Sequence, residues 1–238
     1  MSNASTLPAW QQIRDTLLEE IANGQYPPGS KLPTEAALAA RFAVNRHTVR
    51  RALGDLQEAG LVVSKRGAGV FVTDIKPVPY AIGEHTRFTQ NLESTGREGR
   101  RDFVRLETVK ASQSQAKMLG IKKGALIHCT AAVGYADAVP ILYGEAIRPA
   151  APIPDFLDHL SAVGSITKAL TLSGVASYRR ERTRLTADNA SAAVARHLGL
   201  RPSAPVLKAV GTNVTPEGKI IEYGTTWFAG ERVELVVE

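Results

Sequence analysis

Cysteine is nearly missing from this chain: Cys129 is the single one among 238 residues. No internal disulfide can form, and a reducing compartment, the cytoplasm, is the expected setting. No apolar run reaches the length of a membrane span, and the N-terminus lacks the basic-then-apolar layout of a secretory signal, so no membrane partner is expected. Recognisable catalytic signatures are missing too. The five histidines (His47, His85, His128, His159 and His197) show neither HxH nor HExxH spacing. There is no GxSxG elbow, no GxxxxGK(S/T) loop and no cysteine-based zinc pattern. These absences argue against an enzyme and against a metal or other cofactor. Cys129 lies in an apolar segment and reads as a small core residue, and His128 beside it is either a satisfied core histidine or a pocket donor.

What is present is ordinary in bulk. Apolar residues make up 44% and charged residues 22%, the proportions of a globular protein, and the length suits two domains with a sizeable core each. The net charge of +6 suggests anionic partners without locating them. Residues 1–74 carry eight Lys/Arg against seven Asp/Glu, and the remainder 21 against 16, so the excess lies mostly in the second part. Local clustering has to locate the site instead. In VNRHTVRRAL, residues 44–53, three arginines and a histidine stand without an acid. A solvated helix face usually mixes its signs; a face of one sign expects a partner of the other.

Around that run the pattern is regular. Trp10, Ile13, Leu17 and Ile21 recur at helical spacing, and Gly24 follows as a terminator. A second short helix is predicted from Thr34, with Leu38 and Phe42 on one face. Asn45 is a good N-cap for a third helix, whose Val49, Ala52, Leu53 and Leu56 form a buried stripe. Arg46, His47, Arg50, Arg51 and Gly54 fall on the opposite side. Two β-branched runs, residues 61–63 and 70–72, then flank SKRGAGV, a hairpin with Lys65, Arg66 and Gly67 at its tip. The order is that of a winged helix-turn-helix. Its third helix can enter a DNA major groove, where arginine reads guanine bidentately and also binds phosphate. A glycine at position 54 would let the backbone come close to a phosphate.

Residues 26–72, YPPGSKLPTEAALAARFAVNRHTVRRALGDLQEAGLVVSKRGAGVFV, resemble the DNA-binding domain of the GntR family of bacterial transcription factors. The resemblance implies DNA contacts from the starts of the second and third helices and from the wing: Thr34, Glu35, Asn45, Arg46, His47, Thr48, Arg50, Arg66 and Gly67. Family members often carry arginine just after the glutamate of this motif, where this chain has Ala36. Operator recognition is expected to differ accordingly.

Residues 76–82 open with Lys-Pro-Val-Pro and read as a linker between a first domain at 1–75 and a second at 83–238. The second repeats itself at an offset of about 79 residues. AKMLGI, residues 116–121, aligns with ARHLGL, residues 195–200, each a short helix ended by glycine. Apolar strands follow each (125–133 and 140–147; 205–214 and 220–229), and an alternating segment precedes each (103–110 and 182–187). The implied unit is strand-helix-strand-strand, twice, forming an antiparallel sheet with helices on one side.

This order resembles the effector-sensing domain of the HutC subfamily of GntR proteins, which implies a chorismate-lyase-like α+β fold, a UTRA-type domain. YAIGEHTRFTQNLESTG, residues 80–96, taken with VNRHTVRRA, resembles the repressors of phosphonate-utilisation operons. The resemblance implies that the segment after the linker lines the effector pocket, through Thr86, Arg87, Phe88, Thr89 and Asn91. Arg182 and Arg184, on one face of a predicted strand, are further candidates, as are Glu222 and Tyr223. A phosphonate or phosphate needs guanidinium forks plus hydroxyl donors, which these residues offer. The sugar-phosphate sensors of the subfamily often carry arginines where this chain has Ala132 and Gly134, which weighs against a sugar phosphate. The expectation is a cytoplasmic, homodimeric transcriptional repressor of an inverted-repeat operator, controlled by a small anion. A sensor of a sugar phosphate or histidine-degradation acid, and a DNA-tethered lyase-like enzyme, stand as alternatives.

Overall fold

The computed structural model describes residues 7–73, 77–84 and 87–237. The chain separates near Lys76 and Pro77 into two compact units. Among the described residues, no helix is long and apolar enough to cross a membrane, and no cluster of three or more His, Cys, Asp or Glu is placed to hold a metal.

The first unit contains α1 (Ala9–Ala22), α2 (Glu35–Arg41), α3 (Arg46–Glu58) and the antiparallel hairpin β1 (Val62–Lys65) and β2 (Gly69–Val72). Thr34 and Asn45 cap α2 and α3, their side chains accepting from the backbone N–H groups of Ala37 and Thr48 at 3.2 and 2.9 Å. Such caps satisfy donors that a helix start leaves free. The predicted stripe of α3 is buried with Ile13 and Leu17 of α1 and Leu38 of α2 in one core. Lys31 bridges to Phe71, so the loop before α2 is stitched to the hairpin.

The second unit is built on a six-stranded antiparallel sheet of order β4-β5-β6-β9-β8-β7. Its strands are β4 (Gly99–Lys110), β5 (Leu126–Ala136), β6 (Val139–Pro149), β7 (Arg179–Asn189), β8 (Pro205–Val214) and β9 (Ile220–Ala229). The two predicted halves, β4-β5-β6 and β7-β8-β9, meet as mirror-ordered threes at the β6–β9 seam. The helices of the repeat, α5 (Gln113–Leu119) and α8 (Ala192–Leu198), are followed by Gly120 and Gly199, both in the left-handed region at φ 66° and 56°. That conformation favours glycine, which explains why glycine ends both copies. Both helices cover one sheet face, α5 over Ile127, Cys129 and Ile147, and α8 through His197 stacked on Tyr143 at 4.4 Å.

The sequence pattern did not anticipate the other face. Here α6 (Phe156–Val163) and α7 (Ile166–Leu172), inserted between the two halves, pack with Phe103, Leu106 and Tyr178, and α4 (Phe88–Glu93) packs against β4. The helices therefore lie on both faces, not one.

The expected linker is also shorter than 76–82. Residues Val78–Ile82 form β3, paired in parallel with β10 (Val233–Val237). Val78, Tyr80 and Ile82 are buried in alternation with exposed neighbours, the pattern of a strand. Proline bars a helix but not an edge strand. Val78 donates to the Arg232 carbonyl, so in a parallel pair Pro79 faces the opposite edge, where its missing N–H costs nothing.

Candidate functional site

In the first unit, Arg46, His47 and Arg50 are exposed on α3. Arg50 forms a forked ion pair with Glu35 of α2, its Nη2 2.8 Å and its Nε 3.2 Å from the two carboxylate oxygens. Hydrogen bonding from Arg50, helped by the charges of Arg46 and His47, holds the Glu35 carboxyl below its ordinary value. Glu35, Arg46, His47 and Arg50 thus form one cluster at the starts of α2 and α3. Thr34, Asn45 and Thr48 flank it, and all three are engaged in capping, Thr48 Oγ1 donating to Asn45 at 3.0 Å. Arg51 turns away to stack over Trp10 of α1 at 4.4 Å. Lys65 lies over Phe71 at 4.8 Å, and Arg66 and Gly67 are exposed at the hairpin turn, Gly67 at φ 75°. The exposed Arg46 and Arg50 of α3 and the exposed Lys65 and Arg66 of the hairpin present cations to a polyanion.

The second unit holds a cavity of about 180 Å³ on the sheet face opposite α5 and α8. Its floor is made of small residues from the central strands, among them Ala132, Gly144, Ala146, Ala209, Gly211 and Gly224. The strand register puts Gly144 opposite Thr226, Ala146 opposite Gly224, and Gly211 opposite Gly224, so these positions share a face. Small side chains on a central sheet weaken its packing and leave room for something else. The rim comes from the start of α4 and the turn before α7.

Four arginines line this space: Arg87, Arg101, Arg148 and Arg180. Arg148 is fully buried, bonds Thr130 at 2.9 Å, stacks over Phe156 and forms an ion pair with Glu222. Glu222 also accepts from Asn213 at 2.9 Å. Burial alone would raise the Glu222 carboxyl, but the guanidiniums of Arg148, Arg180 and Arg101 outweigh it and hold it below the ordinary carboxylate range. For Arg101, burial dominates and lowers its affinity for a proton, against the smaller pull of Tyr80 and Glu222. Glu145 also borders the cavity, but its carboxylate accepts from Tyr143 of the other face. The arrangement is a cationic box with hydroxyls from Thr130, Thr167, Tyr178 and Thr226 nearby.

The expected effector residues that the structure describes divide into three groups. Arg87, Phe88, Thr89 and Glu222 line the cavity. Asn91 does not; its amide donates to and accepts from the backbone of Ala81, holding β3 at its outer edge. Arg182, Arg184 and Tyr223 lie around a separate small hollow with Val210 and Thr212, on the sheet face away from the cavity. Thr86 lies outside the described residues. His128 takes the core role, with Nδ1 2.8 Å from Thr108 Oγ1 and Nε2 3.0 Å from the Ile153 carbonyl.

Sequence reasoning missed Arg101, Arg148 and Arg180. The register of β7 slips between Arg180 and Arg182, and this bulge sends Arg180 to the cavity face while Arg182 and Arg184 go to the other. A matching slip follows Phe103 in β4. The repeat itself carried a usable signal, since Arg101 and Arg180 are 79 positions apart. Arg148 had a weaker one, a lone arginine in an otherwise apolar strand end.

Comparison with known proteins agrees with both units. Residues 9–72 match the bacterial regulatory proteins of the gntR family, and residues 94–234 match the UTRA domain. An HTH-type transcriptional regulator of Rhizobium meliloti (strain 1021), RB1450, is 36% identical over 96% of this chain and 94% of its own length. The HTH-type transcriptional repressor NagR of Bacillus subtilis (strain 168) is 26% identical over 99% of this chain and 96% of its own. The crystal structure of PhnF from Mycobacterium smegmatis shares the fold, with a TM-score of 0.60 at 23% identity, covering 97% of this chain and 98% of that one. These relatives are regulators, not enzymes. This chain belongs to the gntR family of bacterial regulatory proteins, in the HutC subfamily that joins a winged helix-turn-helix to a UTRA domain, and it is a DNA-binding transcriptional regulator.

Proposed function

We propose that the protein is a repressor that binds an inverted-repeat operator as a homodimer and releases it when a small phosphonate- or phosphate-bearing anion enters the sensing-domain cavity. The observation that carries this reading is the cavity itself, with four arginines against one carboxylate directed into it. Guanidinium forks with nearby hydroxyls are the chemistry that recognises such an oxyanion. Arg87 and Thr89, at the start of α4, contribute to the rim. One recognition helix reads only a few base pairs, so a two-fold dimer on paired half-sites supplies the remaining specificity. The ligand must prefer one of two states of the protein, because equal affinity for both shifts nothing. A relative named as a repressor supports the negative sign of control.

The test uses full-length protein and DNA selected by it from a random pool. Mobility shift with methylphosphonate, inorganic phosphate, sugar phosphates and imidazole-type acids should show release by a phosphonate or phosphate. Release by uncharged or cationic metabolites alone would overturn the reading, and light scattering should return a dimer at micromolar concentration.

A further inference from the structure

Within the cationic box two arginines stand apart. Arg148 has Glu222 and Thr130, and Arg87 is exposed. Like Arg148, Arg101 and Arg180 each bury a guanidinium Nε without a hydrogen-bond partner, but unlike it, among the described residues, neither has a carboxylate within ion-pair reach. Glu222, the acid of the cavity on which both act, is already engaged by Arg148 and Asn213. Arg101 is stacked on Phe88 at 4.6 Å. Among the described residues the Arg180 guanidinium donates to Thr183 Oγ1, at 3.5 Å. Both influence the same two groups, the Tyr80 phenol and the Glu222 carboxylate, so they converge on one region of the cavity.

Their origin makes the pairing systematic. Arg101 lies opposite Gly134, and Arg180 opposite Asn213; both pairs are separated by the 79-residue repeat. Each half of the domain therefore delivers one guanidinium from its edge strand. Gly211 makes room for the second: a Cβ there would fall on the Arg180 guanidinium, 2.8 Å from Cζ and closer still to Nη1.

Charge decides what such a pair holds. Arg101, Arg148 and Arg180 face one carboxylate, leaving a surplus of two positive charges on half-buried side chains whose Nε atoms are shut off from water, and charge held from water without compensation is costly. A monoanion would leave one of the two uncompensated; a dianion neutralises both. Two planar forks and a phenol also suit the three oxygens of a tetrahedral group. We infer that Arg101 and Arg180 form a repeat-related clamp for a single oxyanion group carrying two negative charges, a phosphonate or phosphate dianion, with Tyr80 as a neutral donor. This rests on the reading of the cavity as the effector site and moves the main charge partner from the exposed Arg87 to this half-buried pair.

Methylphosphonate and methanesulfonate test it, because they share a tetrahedral shape but differ in charge once the phosphonate has lost both protons. Calorimetry on full-length protein at alkaline pH should show methylphosphonate bound roughly tenfold or more tightly than methanesulfonate. Arg101→Gln and Arg180→Gln should each reduce methylphosphonate affinity by about tenfold or more. Without anion, each should melt at a higher temperature than wild type, which a merely structural arginine would not do. Gly211→Ala displaces Arg180 while leaving every charge in place, and should also weaken methylphosphonate. Equal binding of the two probes, or unchanged methylphosphonate affinity in the Arg101 and Arg180 variants with loss in Arg87→Gln, overturns the clamp and leaves the anionic effector standing. Binding of uncharged metabolites alone, with no oxyanion bound, overturns both.

Discussion

Replacing Glu222 by Gln removes the one carboxylate that, among the described residues, is directed into the cationic box, while keeping its shape. Arg148 is 0% exposed and the Glu222 side chain 15%, so their ion pair is shielded from water. Breaking one partner of a buried pair costs about 3–5 kcal/mol, much of it the penalty of stranding the other charge. Glutamine retains one acceptor oxygen to serve both Arg148 and Asn213, which each use a separate carboxylate oxygen now. A loss of about 3 kcal/mol is therefore expected, a large share of the ~5–15 kcal/mol that holds a typical domain together. With an m-value of about 2 kcal/mol/M the urea midpoint would fall by roughly 1.5 M. Trp227 on β9 reports this domain, and Trp10→Phe silences the other tryptophan. The pH dependence has a defined sign. The Glu222 carboxyl is depressed on folding, so its contribution is fully present above the ordinary value of 4.5 and is lost as pH falls through the lower folded value. The gap between wild type and variant should close as pH drops below 4.5. A loss under about 1 kcal/mol at neutral pH, or a gap that widens in acid, would refute the account of this pair.

On the DNA side, the Arg46→Ala, Arg50→Ala double variant should lower operator affinity by at least roughly tenfold with its circular dichroism unchanged, as measured by fluorescence anisotropy. Arg66→Ala should lower affinity evenly across sequences and reduce the slope of log affinity against log salt by about 1. Gly54→Ala should act with opposite signs. An added Cβ meets nothing within 4 Å in the chain, so helix propensity stabilises the domain by about 1 kcal/mol, roughly 4–8 °C by calorimetry, while a close phosphate contact at that position would weaken operator binding.

How much of this was legible beforehand depends on the kind of signal. The first unit is local: caps, a helical stripe and a glycine-rich hairpin tip sit within a few residues of one another, so Thr34, Asn45 and Val49 announce their own elements. The repeat was readable because Gly120 and Gly199 end equivalent helices. What stayed hidden was set by distant partners. Val78–Ile82 becomes a strand through pairing with Val233–Val237, which no local pattern encodes. Arg180 faces the cavity because a bulge adds one residue before Arg182, and a one-residue slip exchanges the faces of everything beyond it. Arg182 and Arg184 do share a face, as their alternation required, but periodicity does not say which face holds a cavity. Arg148 was passed over because burial of a charge depends on Glu222, 74 positions away, which sequence spacing does not reveal.

The pairing of β3 with β10 has a consequence for the order in which the chain folds. Each sheet half is assembled from neighbours in sequence, β4 with β5 with β6 and β7 with β8 with β9, so its contacts are short-range and quick to close. Val78, by contrast, meets Val233 across 155 intervening steps of chain, in a ladder of two strands that stands apart from the six-stranded sheet. This is the contact with the greatest loss of chain freedom, formed after both halves are in place and opened before either comes apart. Amide exchange should accordingly be faster in β3 and β10 than in β5, β6 and β9. The strand that follows Lys76 and Pro77 is thus tied to the far end of the chain, and residues that loosen β10 loosen the first element beyond the DNA-binding unit.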